Sequence, residues 1–491
     1  MGVDLKQVAL RYERLAAERA PWLATWRTLA DHYLPTGYRD ADDSNAHRKK
    51  PLLNANVVDS TGIYALRTLA AGMQGGMTSP ARPWFSLMLE GGGGYDVAAQ
   101  AWIDTAVERM RTIFHTSNFY GVIYQAYAQL ATFGTACVFE EASMDGFRFD
   151  CCQAGSYLLD VNAKGRVDTV MRKVWMTARQ MAQEFGENNL PTAVQASLNN
   201  AGGSEARFAV YHAVYPRTEP SMQTRTASGS NRPFASVYYT ENGTGASGRH
   251  LLRESGFESF PFFGVRWTVE SGDVYGVSPA MDTLPDCRML QQISKTTIMG
   301  IHKMVNPPMI IDSGALAAGL DIRPGAVNYV STTGSGVPVV PAMNVQPDVQ
   351  AAQMLIQQVQ NQIKEGLYND LFRMLLGSDR RQVTATEVDA KEAEKMILIG
   401  PVLERLHDEL FIPLIDRTFE LMGRFNALPP VPESIAGETL KVDFISTLAQ
   451  AQKLVSTGSM QQIAAEILAS TPVGGEQPTA LDAHLGGIGG Y

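Results

Sequence analysis

The stretch MDTLPDCRMLQQISKTTIMGIHKMV, residues 281–305, and its counterpart DVQAAQMLIQQVQNQIKEGLYNDLF, residues 348–372, decide how this chain folds. The first has no glycine or proline between Pro285 and Gly300 and reads as one helix. It stops at Asn306, because a residue that precedes proline, here Pro307, is pushed out of helical backbone. The second also reads as a single helix, in which Leu355, Val359, Ile363 and Leu367 recur every four residues. A stripe with that spacing advances about 40° per step and wraps around the helix, so it needs apolar neighbours on more than one side. Each helix, at about 25 residues, would span roughly 37 Å. Between them, 306–347 is rich in Gly, Pro and β-branched residues and predicts a small excursion with a few short strands.

Toward the N-terminus, 205–270 alternates apolar and polar residues between Gly- and Ser-rich turns, which predicts a β-rich lobe. Before it come helical runs at 1–34, 57–77, 101–118 and 119–135, with a turn entering a strand in 79–89 and strand-like pieces at 136–142, 147–151 and 167–176. Toward the C-terminus, Thr384 and Glu387 form a capping box that opens a long helix, which Pro401 and Pro413 should kink. A short strand and further helix follow from Lys441, and a glycine-rich tail closes the chain. The class is α+β, and 491 residues exceed the roughly 250–300 that one hydrophobic core serves, so at least two packed regions are expected.

Composition narrows the function. With 41 basic and 50 acidic residues the formal charge is −9, which argues against tight, nonspecific adhesion to nucleic acid. Four cysteines without CxxC spacing suggest neither a zinc ribbon nor a secreted disulfide scaffold, and a reducing cytosol fits them. No signal-peptide core stands near Met1, and no run approaches the roughly 18 apolar residues of a membrane helix.

Motifs for chemistry fail one by one. Gly-Lys never occurs, so the phosphate loop of an ATPase is absent. GTGASG, 243–248, matches a dinucleotide fingerprint in letters only, since no helix follows it, and reads as a hairpin turn. Ser278, in a loose likeness of a nucleophile elbow, reads as a helix N-cap. His407 lacks the second histidine of a zinc motif, and Asp42 with Asp43 reads as a solvated loop. Cys151-Cys152 would be reactive if a cation lowered a thiol pKa, but the pair reads first as small buried hydrophobes. No metal, cofactor or catalytic residue is expected.

Two basic features remain. Arg288, Lys295 and His302 are seven apart and share a helix face, with Lys303 beside them. Arg380-Arg381-Gln382 forms a compact basic tip on a short connection. For both, contact with phosphate and a plain solvated surface fit the residues equally well.

In LAAGMQGGMTSPARPWFSL (69–87), VYGVSPAMDTLPDCRMLQQ (274–292), NPPMI (306–310), TATEV (384–388), GPVLERLHDELFIPLIDRTFELMGR (400–424) and VDFISTLAQAQK (442–453), the chain resembles the portal, or head-to-tail connector, family of short-tailed bacteriophages. The likeness covers nearly the whole length. It implies a twelvefold ring around an axial channel, each subunit having a wing (1–277 and 386–447), a stem of two helices (278–305 and 348–373), a clip (306–347), a tunnel loop (374–385) and a crown with the C-terminal tail (448–491). It implies a structural protein, not an enzyme, at one vertex of the virion capsid, made in the bacterial cytoplasm, through which DNA is packaged and ejected. The implied partners are the major capsid protein, scaffolding protein, terminase, tail adaptor and nozzle proteins, and double-stranded DNA without sequence preference, with no membrane. Arg380, Arg381, Gln382, Arg288, Lys295 and Lys303 would then face DNA, and Leu355, Val359, Ile363 and Leu367 would pack between subunits. A DNA-processing packaging enzyme (nuclease or ATPase) and a head-completion or tail adaptor ring are the competing readings.

Overall fold

The computed structural model describes residues 3–43, 57–89, 96–143, 146–200, 203–217, 232–241, 243, 248–306, 309–311, 339–341, 348–375, 398–435 and 437–450. Helices α1 (Leu5–His32), α2 (Thr61–Met77), α3 (Val97–Thr116) and α4 (Phe119–Phe133) build the N-terminal part, with strand β1 (Phe85–Leu89) between α2 and α3. Their apolar faces carry the largest buried side chains, among them Trp26, Tyr33, Trp84, Phe114, Phe119 and Tyr127. Trp84 lies within about one ring width of Phe85, Phe114, Phe119 and Phe411, so a residue from the far C-terminal part seals this core.

Helix α4 ends at Gly134, whose φ of 73° is a left-handed cap that L side chains rarely adopt. A Cβ there would sit 2.1 Å from the carbonyl oxygen of Gly276. The turn is thus locked against the segment that leads into the 281–305 helix. From it runs β2 (Thr135–Ser143), paired antiparallel with β3 (Gly146–Cys152) and with β9 (Phe262–Arg266).

A second sheet, β4 (Tyr157–Val161), β5 (Val167–Thr177), β6 (Arg207–Pro216), β7 (Phe234–Thr240) and β8 (His250–Phe257), is an antiparallel meander in chain order. This is the expected β-rich lobe. The pleat sends alternate side chains to opposite faces. Met171, Tyr211, Val237 and Tyr239 meet Val8 and Leu15 of α1, whereas Val210 and Leu252 meet α5 (Ala178–Phe185) and α6 (Thr192–Asn199). These two short helices were not anticipated: they have eight residues each, too few to display a helical period, although Thr177 and Gln180 close a capping box at the first. At the two ends of GTGASG the Gly243 amide donates to the Gly248 carbonyl at 2.9 Å, between β7 and β8; 244–247 lie outside the described residues.

The decisive stretch emerges as α7 (Pro279–Asp282), α8 (Leu284–Val305), β10 (Met309–Ile311), β11 (Val339–Pro341), α9 (Val349–Gly366) and α10 (Asn369–Leu375). Strands β10 and β11 pair antiparallel at the far end of the two long helices. The single helix expected over 348–372 is broken at Tyr368, whose φ of 55° lies in the left-handed region. The two long helices are therefore 22 and 18 residues long, or roughly 33 and 27 Å. The break lets Phe372 settle on Gly72 of α2, where a Cβ would meet the ring at 2.2 Å.

Helix α11 (398–406) continues through a widened π-helical turn, His407–Phe411, into α12 (Ile412–Arg424). The widening sits immediately before Pro413, which has no N–H to donate one turn back, as the expected kink requires. Strand β12 (Leu440–Phe444) returns to pair with β1. Most of 306–347 and all of 376–397 and 451–491 lie outside the described residues, and so does the Thr384–Glu387 capping box.

Candidate functional site: a half-buried helix pair

The helix pair is rooted by polar contacts that fix its direction. Ser278 is the N-cap of α7: its Oγ accepts from the Met281 amide at 3.1 Å and donates to the Thr132 carbonyl at 2.7 Å. Thr283, at the joint between α7 and α8, shares a 2.8 Å hydrogen bond with the hydroxyl of buried Tyr33. About two turns further, Gln291 accepts from the amides of Val58 and Asp59 at 2.7 and 2.9 Å and donates to the Asp59 carbonyl at 2.7 Å. Gln360 of α9 donates to the Asp59 carboxylate at 2.8 Å, so one loop residue ties both antiparallel helices. Asp348 caps the start of α9 through the Ala351 amide at 2.9 Å.

Above this root the cover ends. Leu284, Cys287, Leu290, Gln291 and Ser294 of α8 are buried, and nothing beyond Ser294 is. Ile298 and Val305 continue the heptad positions of Gln291, yet they are 45% and 76% exposed. Met289, Met299 and Met304 are exposed on the same helix, and Met354 on α9 is 70% exposed. Of the stripe on α9, Val359, Ile363 and Leu367 are buried within this chain and Leu355 is 43% exposed. The inner three positions thus find their cover in this subunit's own α2, α8 and α10; the outer one does not.

Arg288, Lys295, His302 and Lys303 are all exposed, and among the described residues none of the three Arg and Lys side chains has an ion-pair partner. The structure brings them together along one edge of α8, as their spacing required. Arg380, Arg381 and Gln382 lie outside the described residues. No group of three or more His, Cys, Asp or Glu among the described residues is placed to hold a metal ion, and no helix there is long and apolar enough to cross a membrane. His407 stacks flat on Phe444 with ring centroids 3.9 Å apart, and Asp42 pairs with Lys173 at 2.8 Å on the surface.

Two buried ion pairs that sequence reasoning missed join the C-terminal helices to the strands. Glu409 accepts from the Arg266 guanidinium at 2.6 Å and from the Arg266 amide at 3.0 Å. Glu140, fully buried on β2, accepts from the Thr418 hydroxyl at 2.7 Å and lies 3.6 Å from the Arg417 guanidinium. Burial pushes the Glu140 carboxyl up to about 7, against the opposing pull of Arg417 and Thr418. Partners nearly 280 residues apart leave no local pattern, and the only signal was an acidic residue inside an apolar strand, TACVFEEA.

The comparisons bear on the whole chain. The profile of the bacteriophage head to tail connecting protein family matches residues 5–483. A curated relative, the probable portal protein of Bordetella phage BPP-1, is 37% identical over 98% of this chain and 85% of its own length. The portal protein of Salmonella phage epsilon15 is 36% identical over 93% of this chain and 81% of its own. Among solved structures, a chain from the neck of an empty gene transfer agent particle aligns over 89% of this chain and 92% of that one, at 11% identity and a TM-score of 0.37, too loose to add to the assignment. With a family profile and two relatives spanning its length, this chain belongs to the bacteriophage head to tail connecting proteins.

Proposed function

We propose that the chain is a portal subunit: twelve copies close into a ring at one capsid vertex, and double-stranded DNA passes through the ring during packaging and ejection. The observation that carries the ring is the outer half of the helix pair. Ile298, Met299, Val305, Met354 and Leu355 are exposed on elements that project from a well-covered core, and a closing ring supplies each subunit with neighbours on two sides. The helix pair acts as stem, 306–347 as clip, 374–385 as tunnel loop and 448–491 as crown and tail, with the wing formed by 1–277 and 386–447.

Charge supports passage over adhesion. Twelve copies of a chain at −9 make an acidic ring that repels duplex DNA, while local basic rings hold it weakly and without base preference. Arg288, Lys295 and Lys303, and the Arg380-Arg381-Gln382 tip, are the proposed DNA-facing groups. Capsid and scaffolding proteins would meet the wing, and terminase and then tail adaptor and nozzle proteins the clip. The reading assigns the chain no catalytic step, cofactor or metal. The subunit is made in the host cytoplasm and ends in the virion.

End-on electron microscopy of the purified protein tests the ring, with an open-centred twelvefold particle as the expected result. A protein that stays monomeric both in solution and in assembled particles overturns it. The tunnel loop has its own test: Arg380→Ala with Arg381→Ala should lower the yield or retention of packaged DNA in virions, and unchanged packaging removes these residues from the channel.

A further inference from the structure

Cys137 and Cys152 are register partners on β2 and β3, so their side chains lie on the same face of the sheet. The Glu140 amide bonds to Pro261 on the β9 side, and strand alternation therefore turns the Cys137 amide toward β3. That makes Cys137 and Cys152 a hydrogen-bonded pair, with Cα atoms about 5.5 Å apart, inside the roughly 4.4–6.8 Å that a disulfide spans.

The two thiols are not equivalent. Cys152 stands in the wall of a half-open cavity of about 550 Å³ that Asp150, Arg172, Lys173 and Gln129 also line, whereas Cys137 is wholly enclosed behind it. The Arg172 guanidinium approaches the Cys152 sulfur at 4.0 Å, and it is held there by Asp150 at 3.3 Å, by His212 at 3.2 Å and by the faces of Phe139 and Phe262. This is the cation that Cys151-Cys152 lacks when read as sequence alone.

We propose that Cys152 is a peroxide-reactive thiol and Cys137 its resolving partner, so that oxidation staples β2 to β3. A hydrogen bond donated by Cys137, with Arg172 adding to it, holds Cys152 below the ordinary thiol range despite its burial, and burial pushes Cys137 well above that range. Of the two, Cys152 is the sulfur favoured to ionise and Cys137 the one favoured to keep its proton. In the first step the Cys152 thiolate attacks hydrogen peroxide: an S–O bond forms, the O–O bond breaks, and the departing hydroxide takes a proton and leaves as water. In the second the Cys137 sulfur attacks the sulfenic acid: an S–S bond forms, the S–O bond breaks, and the Cys137 proton leaves with the oxygen as a second water. Two thiols and one peroxide give a disulfide and two waters, and the two electrons pass from sulfur to the peroxide. Cys151 lines the same cavity, but it faces Val138 across the strands and burial pushes its thiol well up, so it is disfavoured as the reactive sulfur.

The test is peptide mapping of the full-length assembled protein after hydrogen peroxide, with alkylation under denaturing, non-reducing conditions. The expected product is a peptide linking Cys137 to Cys152, lighter by two hydrogens, with Cys151 and Cys287 alkylated. In Cys137→Ser, dimedone should trap a sulfenic acid at position 152; in Cys152→Ser, position 137 should stay a thiol. Where either variant fails to fold, the wild-type map decides. Free Cys137 and Cys152 after exposed Met88 has become a sulfoxide, a link through Cys151, or overoxidation of Cys152 without a link would each overturn the proposal.

Discussion

Replacing Glu140 by glutamine separates the two forces that act on this carboxyl. Its side chain is sealed between β2 and α12, hydrogen-bonded to Thr418 and facing Arg417. Burial disfavours the ionised form, Arg417 favours it, and burial wins, which places the folded-state value at about 7 against an ordinary 4.5. A group raised in this way stabilises the fold fully below pH 4.5, and the contribution is lost as pH climbs through about 7. At about 1.4 kcal/mol per pH unit, the loss between pH 4.5 and 8 is about 3 kcal/mol. Glutamine keeps an oxygen for the Thr418 hydroxyl and cannot ionise. Glu140→Gln should therefore track the wild type near pH 5 and exceed it by up to about 3 kcal/mol at pH 8. Urea denaturation followed by tryptophan fluorescence at pH 5, 6.5 and 8 measures the gap, with ligand-free protein at one concentration throughout. A gap that does not change with pH, or a wild type that gains on the variant as pH rises, would mean that Glu140 is ionised throughout and that Arg417 outweighs burial.

Two further variants test the helix pair and its seat. Ile298→Asp with Val305→Asp places charge on the exposed outer half of α8, beyond the last buried position at Ser294; the subunit should keep its circular dichroism and lose its ring, read by light scattering after size exclusion. Phe372→Ala empties the seat over Gly72, and deleting a buried phenylalanine costs about 3–5 kcal/mol. The expected drop in thermal midpoint would be absent if α10 does not dock on α2.

The helices of 281–372 were legible because their length lets periodicity accumulate, and the proline after Asn306 marks a stop in any context. Tyr368 was not: nothing in GLYND announces a residue with positive φ, and the break follows from Phe372 finding Gly72 nearly 300 residues earlier. The role of Gly72 was equally hidden, because in LAAGMQGGM it reads as one of three glycines near a helix end. The four-residue stripe at 355–367 was visible, but not where its cover comes from. Val359, Ile363 and Leu367 are covered by this chain, and only Leu355 is left for a neighbour. Ion pairs such as Arg266–Glu409 join residues whose separation carries no local signal. The sevenfold spacing of Arg288, Lys295 and His302 survived intact, because a shared helix face depends on nothing outside the helix.

The two halves of the helix pair differ in kind. At the root, Tyr33, Asp59, Gln291 and Gln360 use directional hydrogen bonds, which have one good geometry and therefore set the tilt of both helices. In the outer half, Met299, Met304 and Met354 present exposed apolar surface through unbranched, polarizable side chains that adapt to more than one neighbour. Beside Ile298, Val305 and Leu355, which are exposed on the same stretch, such chains would give an interface between copies that does not dictate one arrangement. In the proposed ring, a rigid root with a compliant outer surface would let adjacent helix pairs shift against each other while each keeps its direction.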